Sequence, residues 1–217
     1  MRLLSLIVLL VFFINSYSQS ELAQLVRWNK ESDQLSRTDW LVSPTIMKAN
    51  LFVSTDGREL ILFNGLVKRN FRLEPNLICV DYKNMVNGQQ LLRAVKPEAR
   101  IVINNKLYNV GGAYGQTENA YLIPDWIDRF KKGENDFQYT GFTLQNIQPF
   151  INWKPFLWAA NKKQATGKQV SFSFASKLPA LKGIEIIVNY EIYDGLPLIV
   201  KWLSVTNKSA ATIKVNR

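Results

Sequence analysis

The stretch IPDWIDRF sets Trp126 between two carboxylates, Asp125 and Asp128, and KKGEND adds Glu134 and Asp136 a few residues later. Glycoside hydrolysis needs two carboxyl groups facing each other across the scissile bond. Neighbours in sequence do not take opposite sides of a sugar, so a solvated turn is expected here, with Asp125 capping a short helix after Pro124. No catalytic residue is assigned. Calcium binding by the same acids lacks an ordered loop pattern. The sequence contains no histidine, which removes the usual Ser/His or Cys/His nucleophile activation and the commonest zinc ligand. Neither a metal nor a cofactor is expected. The glycines of GGAYG, from Gly111 to Gly115, lack the spacing and the strand-to-helix context of a nucleotide loop and read as a flexible turn.

The aromatic residues offer more. NWKPFLWAANKK carries Trp153 and Trp158 with Phe156, Asn161, Lys162 and Lys163 close by, Phe150 just before it, and Trp126 in the preceding excursion. Sugars present apolar C–H faces that stack on indole rings, while amide and ammonium groups meet the hydroxyls. Trp126, Trp153, Trp158, Asn161 and Lys162 are therefore the candidate carbohydrate or interface residues. The competing reading is a satellite cluster that packs the loops onto the main body.

The elements that must hold these residues are strands. Turn signals recur at short intervals: Thr55-Asp56-Gly57, Asn64-Gly65, Asn87-Gly88, Asn104-Asn105 and Asp194-Gly195. Each lies between runs rich in Val, Ile, Leu, Phe and Tyr, the pattern of tight hairpins. In NYEIYDGLPLIVKWLSVTN the turn at Asp194-Gly195 is expected to pair 184–193 with 198–206, with Gly195 at positive φ. Ile184, Ile186, Val188, Tyr190 and Ile192 share one face of the first strand. Leu198, Val200 and Trp202 share a face of the second, and Trp202 is expected to be mostly buried. Pro197 donates no ladder hydrogen bond and belongs at a strand start or edge. An antiparallel sheet with one apolar face needs a second layer, so the fold class is all-β, a sandwich of many hairpin-connected strands. A polar, helix-compatible lead (ELAQLVRWNKESDQ) precedes the strands. From Gly111 to Lys168 the rhythm breaks, with one strand (FQYTGFTLQNI) between two long aromatic-rich excursions of the kind that carry function.

The N-terminus, MRLLSLIVLLVFFINSYS, has the layout of an export signal: Arg2, an apolar run from Leu3 to Ile14, then Ser16 and Ser18 at a cleavage site. Residues 1–18 are read as a removed signal peptide and 19–217 as one β-sandwich domain, periplasmic or extracellular. No second run is long enough to span a membrane. The single cysteine, Cys79, permits no internal disulfide and reads as a small buried hydrophobe. The formal charge is +10, yet Lys and Arg are scattered rather than gathered on one segment, which argues for a solvated basic surface and against nucleic acid.

The hairpin GIEIIVNYEIYDGLPLIVKWLSVTNKS resembles one in the N-terminal β-supersandwich of α-galactosidase-like (melibiase-type) glycoside hydrolases, domains similar to galactose-mutarotase sandwiches. The residues that carry the likeness are Tyr190, Glu191, Tyr193, Asp194, Pro197, Ile199 and Asn207, and NGLVKRNFRLEPN is similar to the opening strands of such domains. The resemblance implies a sandwich that precedes a catalytic (β/α)₈ barrel and covers its mouth or contributes oligomer contacts. The barrel's acids have no counterpart in this chain, which has no alternating βαβα pattern. The expected function is thus a non-catalytic, carbohydrate-associated domain of an exported glycosidase acting on α-galactosides. Its expected partners are carbohydrate and either a downstream barrel or a second copy. The alternative is a freestanding carbohydrate-binding or protein-interaction sandwich.

Overall fold

The computed structural model describes residues 21–37, 39–43, 46–117, 119–148 and 165–216. The chain is an all-β sandwich. A five-stranded sheet is ordered β1 (Val26–Arg27), β2 (Asn50–Val53), β3 (Glu59–Phe63), β4 (Val67–Arg72) and β5 (Ile78–Asn84). A four-stranded sheet comprises β8 (Gln138–Asn146), β9 (Gly167–Ala175), β10 (Ile184–Tyr193) and β11 (Ile199–Asn207), in the order β11-β10-β9-β8. A third sheet has β6 (Ala99–Ile103) between β7 (Lys106–Val110) and β12 (Val215–Asn216). Among the named strands pairing is antiparallel except between β1 and β2, which run parallel, and one isolated parallel bridge joins Val110 to Phe137.

The turn chemistry explains the connections. Gly57, Gly65 and Gly195 take positive φ at the β2–β3, β3–β4 and β10–β11 turns, and Asn104 and Asn105 both take positive φ between β6 and β7. Gly88 also has positive φ, but the chain returning from it makes one bridge, Lys83 to Gln90, rather than a strand. The polar lead holds one helical turn at residues 21–24, then β1 and a 3-10 turn at Lys30–Asp33.

The two large sheets bury their facing rows. Leu60, Leu62 and Phe71 meet Phe172, Val188 and Tyr190, with the Phe71 ring 4.8 Å from Phe172 and 5.1 Å from Tyr190. Ile101, Ile103, Tyr108 and Val110 of the third sheet join the same core, as does Cys79. A smaller cluster lies on the opposite face of the five-stranded sheet, where Trp28 packs edge-on against Phe52 and Phe63. There Lys68 is buried beneath the lead, within 2.5 Å of Asp33 and 3.2 Å of Asp81.

One expectation is corrected here. Trp202 is half-buried rather than core. Five residues separate β10 from β11, and the resulting register pairs Ile192 with Ile199 and Asn189 with Trp202. Directly opposed residues share a face, so Val200 and Trp202 lie on the outer side with Asn189 and Glu191. The core side of β11 instead carries Ile199, Lys201, Leu203 and Val205.

Candidate functional site

The sandwich has two ends, and Trp126, the one predicted site residue among the described residues, stands at one of them. Trp126, 41 % exposed, sits in a 3-10 turn, Pro124–Arg129. That turn is held by Asp128, which accepts from Arg58 Nη2 at 2.6 Å and from Arg72 Nη2. Arg58 directly precedes β3 and Arg72 pairs with Glu59, so Trp126 belongs to the end where β3 begins. Its neighbour Asp125 is not the helix cap. Pro124 occupies the first helical position, where its missing N–H costs nothing, and the cap residue is Ile123, whose side chain cannot accept a hydrogen bond.

The excursion that carries the other candidates starts at the opposite end. Residues 148 and 165 flank it, beside the Asp194 turn. Trp153, Trp158, Asn161 and Lys162 lie outside the described residues, as do the export signal and the expected mature start at Gln19. At this end a cleft of about 410 Å³ is lined by Lys48, Asn146, Gln148, Thr166, Lys168 and Asp194, among others. Asp194 accepts from the Ala49 backbone N–H at 2.8 Å and the Thr166 hydroxyl at 2.6 Å, with Lys48 Nζ 3.6 Å away. Burial by itself would raise this carboxyl, but the Thr166 and Ala49 hydrogen bonds and the Lys48 charge outweigh it and hold Asp194 below the usual range.

Sequence reasoning did not single out the outer face of the four-stranded sheet. Register places Gln145, Gln169, Glu191 and Val200 in one row across the four strands, and Thr143, Ser171, Asn189 and Trp202 in the next. The polar groups are linked. Gln145 Nε2 donates to Gln169 Oε1 at 3.2 Å, the Ser171 hydroxyl to Asn189 Oδ1 at 2.7 Å, and Asn189 Nδ2 to the Ser204 hydroxyl at 3.1 Å. Tyr193 donates its hydroxyl to Glu191 Oε2 at 2.5 Å, whereas Glu191 Oε1 is buried without a partner. Burial, then the hydrogen bond to Glu191 and its charge, push the Tyr193 phenol up to about 12. The signal was present in the alternation of QVSFSF and IEIIVNYEIY, whose polar positions become meaningful only once the strands are aligned.

A second missed cluster fills the lateral edge of the core. Glu98, buried before β6, receives the Tyr190 hydroxyl and Lys201 Nζ (3.0 Å), with Arg69 Nη2 3.6 Å away. The Arg69 guanidinium lies 4.9 Å from the Tyr190 ring centre and 5.0 Å from that of Tyr82. These groups face one another inside the sandwich and serve packing and charge pairing. Beside them, burial pushes the Cys79 thiol up to about 12, against the lowering effect of Arg69.

The glycines of GGAYG form a packed crossing, not merely a flexible turn. Gly111 and Gly112 donate their N–H groups to the Phe137 and Asn76 carbonyls, so neither is left to cradle a phosphate. A Cβ on Gly112 would lie 2.7 Å from Pro97 Cα. Among the described residues there is no cluster of three or more potential metal-ligating acids, cysteines or histidines, and no helix long and apolar enough to cross a membrane. Comparison with protein-family models, with curated proteins and with solved structures found no match to this chain.

Proposed function

We propose that the chain is the non-catalytic, carbohydrate-associated sandwich of an exported glycoside hydrolase acting on α-galactosides. The observation that carries this reading is the outer face of the four-stranded sheet: hydroxyl, amide and carboxyl groups in register beside Trp202, with no Lys or Arg at its strand positions in a chain of formal net charge +10. Neutral sugars are recognised by such a mixture of hydrogen-bonding groups and one apolar ring. The resemblance of the Tyr190–Asn207 hairpin to melibiase-type sandwiches supplies the enzyme class, and the 1–18 pattern supplies export. The polar cleft lined by Gln148, Thr166 and Asp194 is a second place on the described surface with groups that could meet sugar hydroxyls.

The test has two arms. The reading frame beyond Arg217 should encode a (β/α)₈ barrel. Purified residues 19–217 should bind galactosides without hydrolysing aryl α-galactosides. A stop codon at 218 would remove the glycosidase assignment, and turnover abolished by Asp125→Asn or Asp128→Asn would remove the non-catalytic one.

One observation favours the alternative of a freestanding interaction sandwich. The strand β11 ends its sheet, and Leu203 and Val205, on its core side, remain 39 % and 36 % exposed. Concentration-dependent dimerisation in sedimentation, lost in Leu203→Lys, together with an absence of sugar binding, would select that reading.

A further inference from the structure

We propose that the 3-10 turn Pro124–Arg129 docks the protein on an anionic phospholipid surface. Ile123 and Trp126 enter the headgroup layer, and Arg129, Lys131 and Lys132 meet the phosphates. The inference is independent of the carbohydrate reading above. In a 3-10 turn, side chains three residues apart stand above one another. Asp125 and Asp128 therefore share one line of the turn, and Trp126 and Arg129 share another. Asp128 is fixed by Arg58 Nη2 at 2.6 Å and by Arg72, and Phe130, which ends the turn, is buried. Clamped through those two side chains, the turn leaves Trp126 and Arg129 exposed. Ile123, whose carbonyl accepts from the Trp126 N–H at 3.0 Å, is 40 % exposed, and Tyr121 is 69 % exposed.

Form and charge select the partner. None of the turn's residues is buried, so it presents a ridge, whereas small ligands are held in hollows. Arg129, Lys131 and Lys132 are exposed, and no ion pair among the described residues includes them. With Arg93, stacked 4.9 Å from the Tyr121 ring centre, they outnumber the exposed acids Asp125 and Glu134. Asp128 is already matched by Arg58 and Arg72. Indole and phenol rings settle at the boundary between water and hydrocarbon, and Lys and Arg are drawn to anionic headgroups. A rigid ridge that carries both is complementary to such a bilayer.

The experiment is co-sedimentation with sucrose-loaded vesicles, of phosphatidylcholine alone or with about one-third phosphatidylglycerol. Residues 19–217 are used, since they contain the whole described sandwich and leave out the apolar run Leu3–Ile14, which would itself enter a bilayer. Trp126→Ala and the double variant Lys131→Gln, Lys132→Gln are compared with Lys106→Gln, Lys214→Gln, a charge-matched pair exposed beside the Asn104-Asn105 turn. Circular dichroism checks each fold, and Ile123→Ser replaces Trp126→Ala if that variant unfolds. The parent should bind the anionic vesicles, less so as salt rises, and should not bind phosphatidylcholine. Trp126→Ala and the Lys131, Lys132 variant should each lose about ten-fold or more in partitioning, and the Lys106, Lys214 variant should match the parent. Equal losses in the two lysine variants, or binding that Trp126→Ala leaves unchanged, overturn the assignment to this turn. Equal binding to both vesicles overturns the anionic class. Self-association lost in Trp126→Ala, with no vesicle binding, makes the turn a contact between copies and overturns the proposal.

Discussion

The Asn64 side-chain amide donates to the Tyr193 carbonyl at 2.7 Å, joining the β3–β4 turn to the β10–β11 turn across the end of the sandwich. The same amide reaches the Leu196 carbonyl, also at 2.7 Å, and its Oδ1 accepts from the Leu66 and Val67 backbone N–H groups at 3.0 Å each. Asn64 is fully buried. Its removal strands four backbone groups at once. Asn64→Ala should cost about 2–4 kcal/mol, read as a lower urea midpoint with an unchanged slope.

The same turn tests backbone strain. Gly195 has φ +72°, a region in which a β-branched residue is strained, so Gly195→Val should cost about 1–3 kcal/mol. Because Trp202 lies on the half-buried outer row, Trp202→Ala should destabilise less than Phe172→Ala, for which about 3–5 kcal/mol is expected. Chemical denaturation of the three variants side by side gives the order.

Acid should loosen this end first. The Asp194 carboxyl is held below its usual range, so its contribution is present above the unfolded carboxylate pKa of about 3.9 and is lost as pH falls through the lower folded value. Thermal midpoints measured from pH 5 downward should fall less steeply in Asp194→Asn than in the parent.

At the alkaline side the sign reverses. The folded protein keeps the Tyr193 phenol neutral up to about 12, whereas in the unfolded chain a tyrosine ionises near about 10. Its contribution is therefore complete below that pH and disappears as pH rises toward the folded value. Tyr193→Phe should lower stability at pH 8 by breaking the Glu191 hydrogen bond and should flatten the decline above pH 10.

Glu98 is the sole carboxylate that an ion pair joins to Arg69 among the described residues, and it also receives Lys201. Glu98→Gln leaves a buried guanidinium without its counter-charge, for which about 3–5 kcal/mol is expected. Lys201→Met in the same chain should add less than it costs alone, as measured by a double-mutant cycle.

What the sequence made legible was local. Positive φ at Gly57, Gly65, Gly195, Asn104 and Asn105 is a property of the residues themselves, and the hairpins followed from it. The core face from Ile184 to Ile192 was equally readable, because period-two burial needs no knowledge of a partner. The facing of Trp202 was not, since it depends on the register set by a five-residue turn. Arg69 and Lys68 were unreadable for a related reason. Both sit in β4, VKRNFR, where the sequence shows only a polar, basic run, and the acids that accommodate them, Glu98 and Asp33, come from distant segments. The polar rows of the outer face fell between these cases: the alternation was visible, but Ser171, Asn189 and Ser204 act together only after three strands are aligned. Of the candidate aromatics only Trp126 lies among the described residues, and it stands at the end opposite the cleft.

The parallel pairing of β1 with β2 makes residues 21–33 separable in principle from the chain that follows. They are held by the β1 ladder, by the Trp28 ring against Phe52 and Phe63, and by Asp33 on Lys68. Leu41 and Val42, at 76 % and 80 % exposure, lie in the connection that leads back to β2. A protease that nicks that connection would leave the N-terminal piece bound without a covalent link. It would then behave as a peptide ligand of the sandwich, washed out by dilution and restored by adding the synthetic segment. Lys68 and Trp28's aromatic partners would open and close with its occupancy.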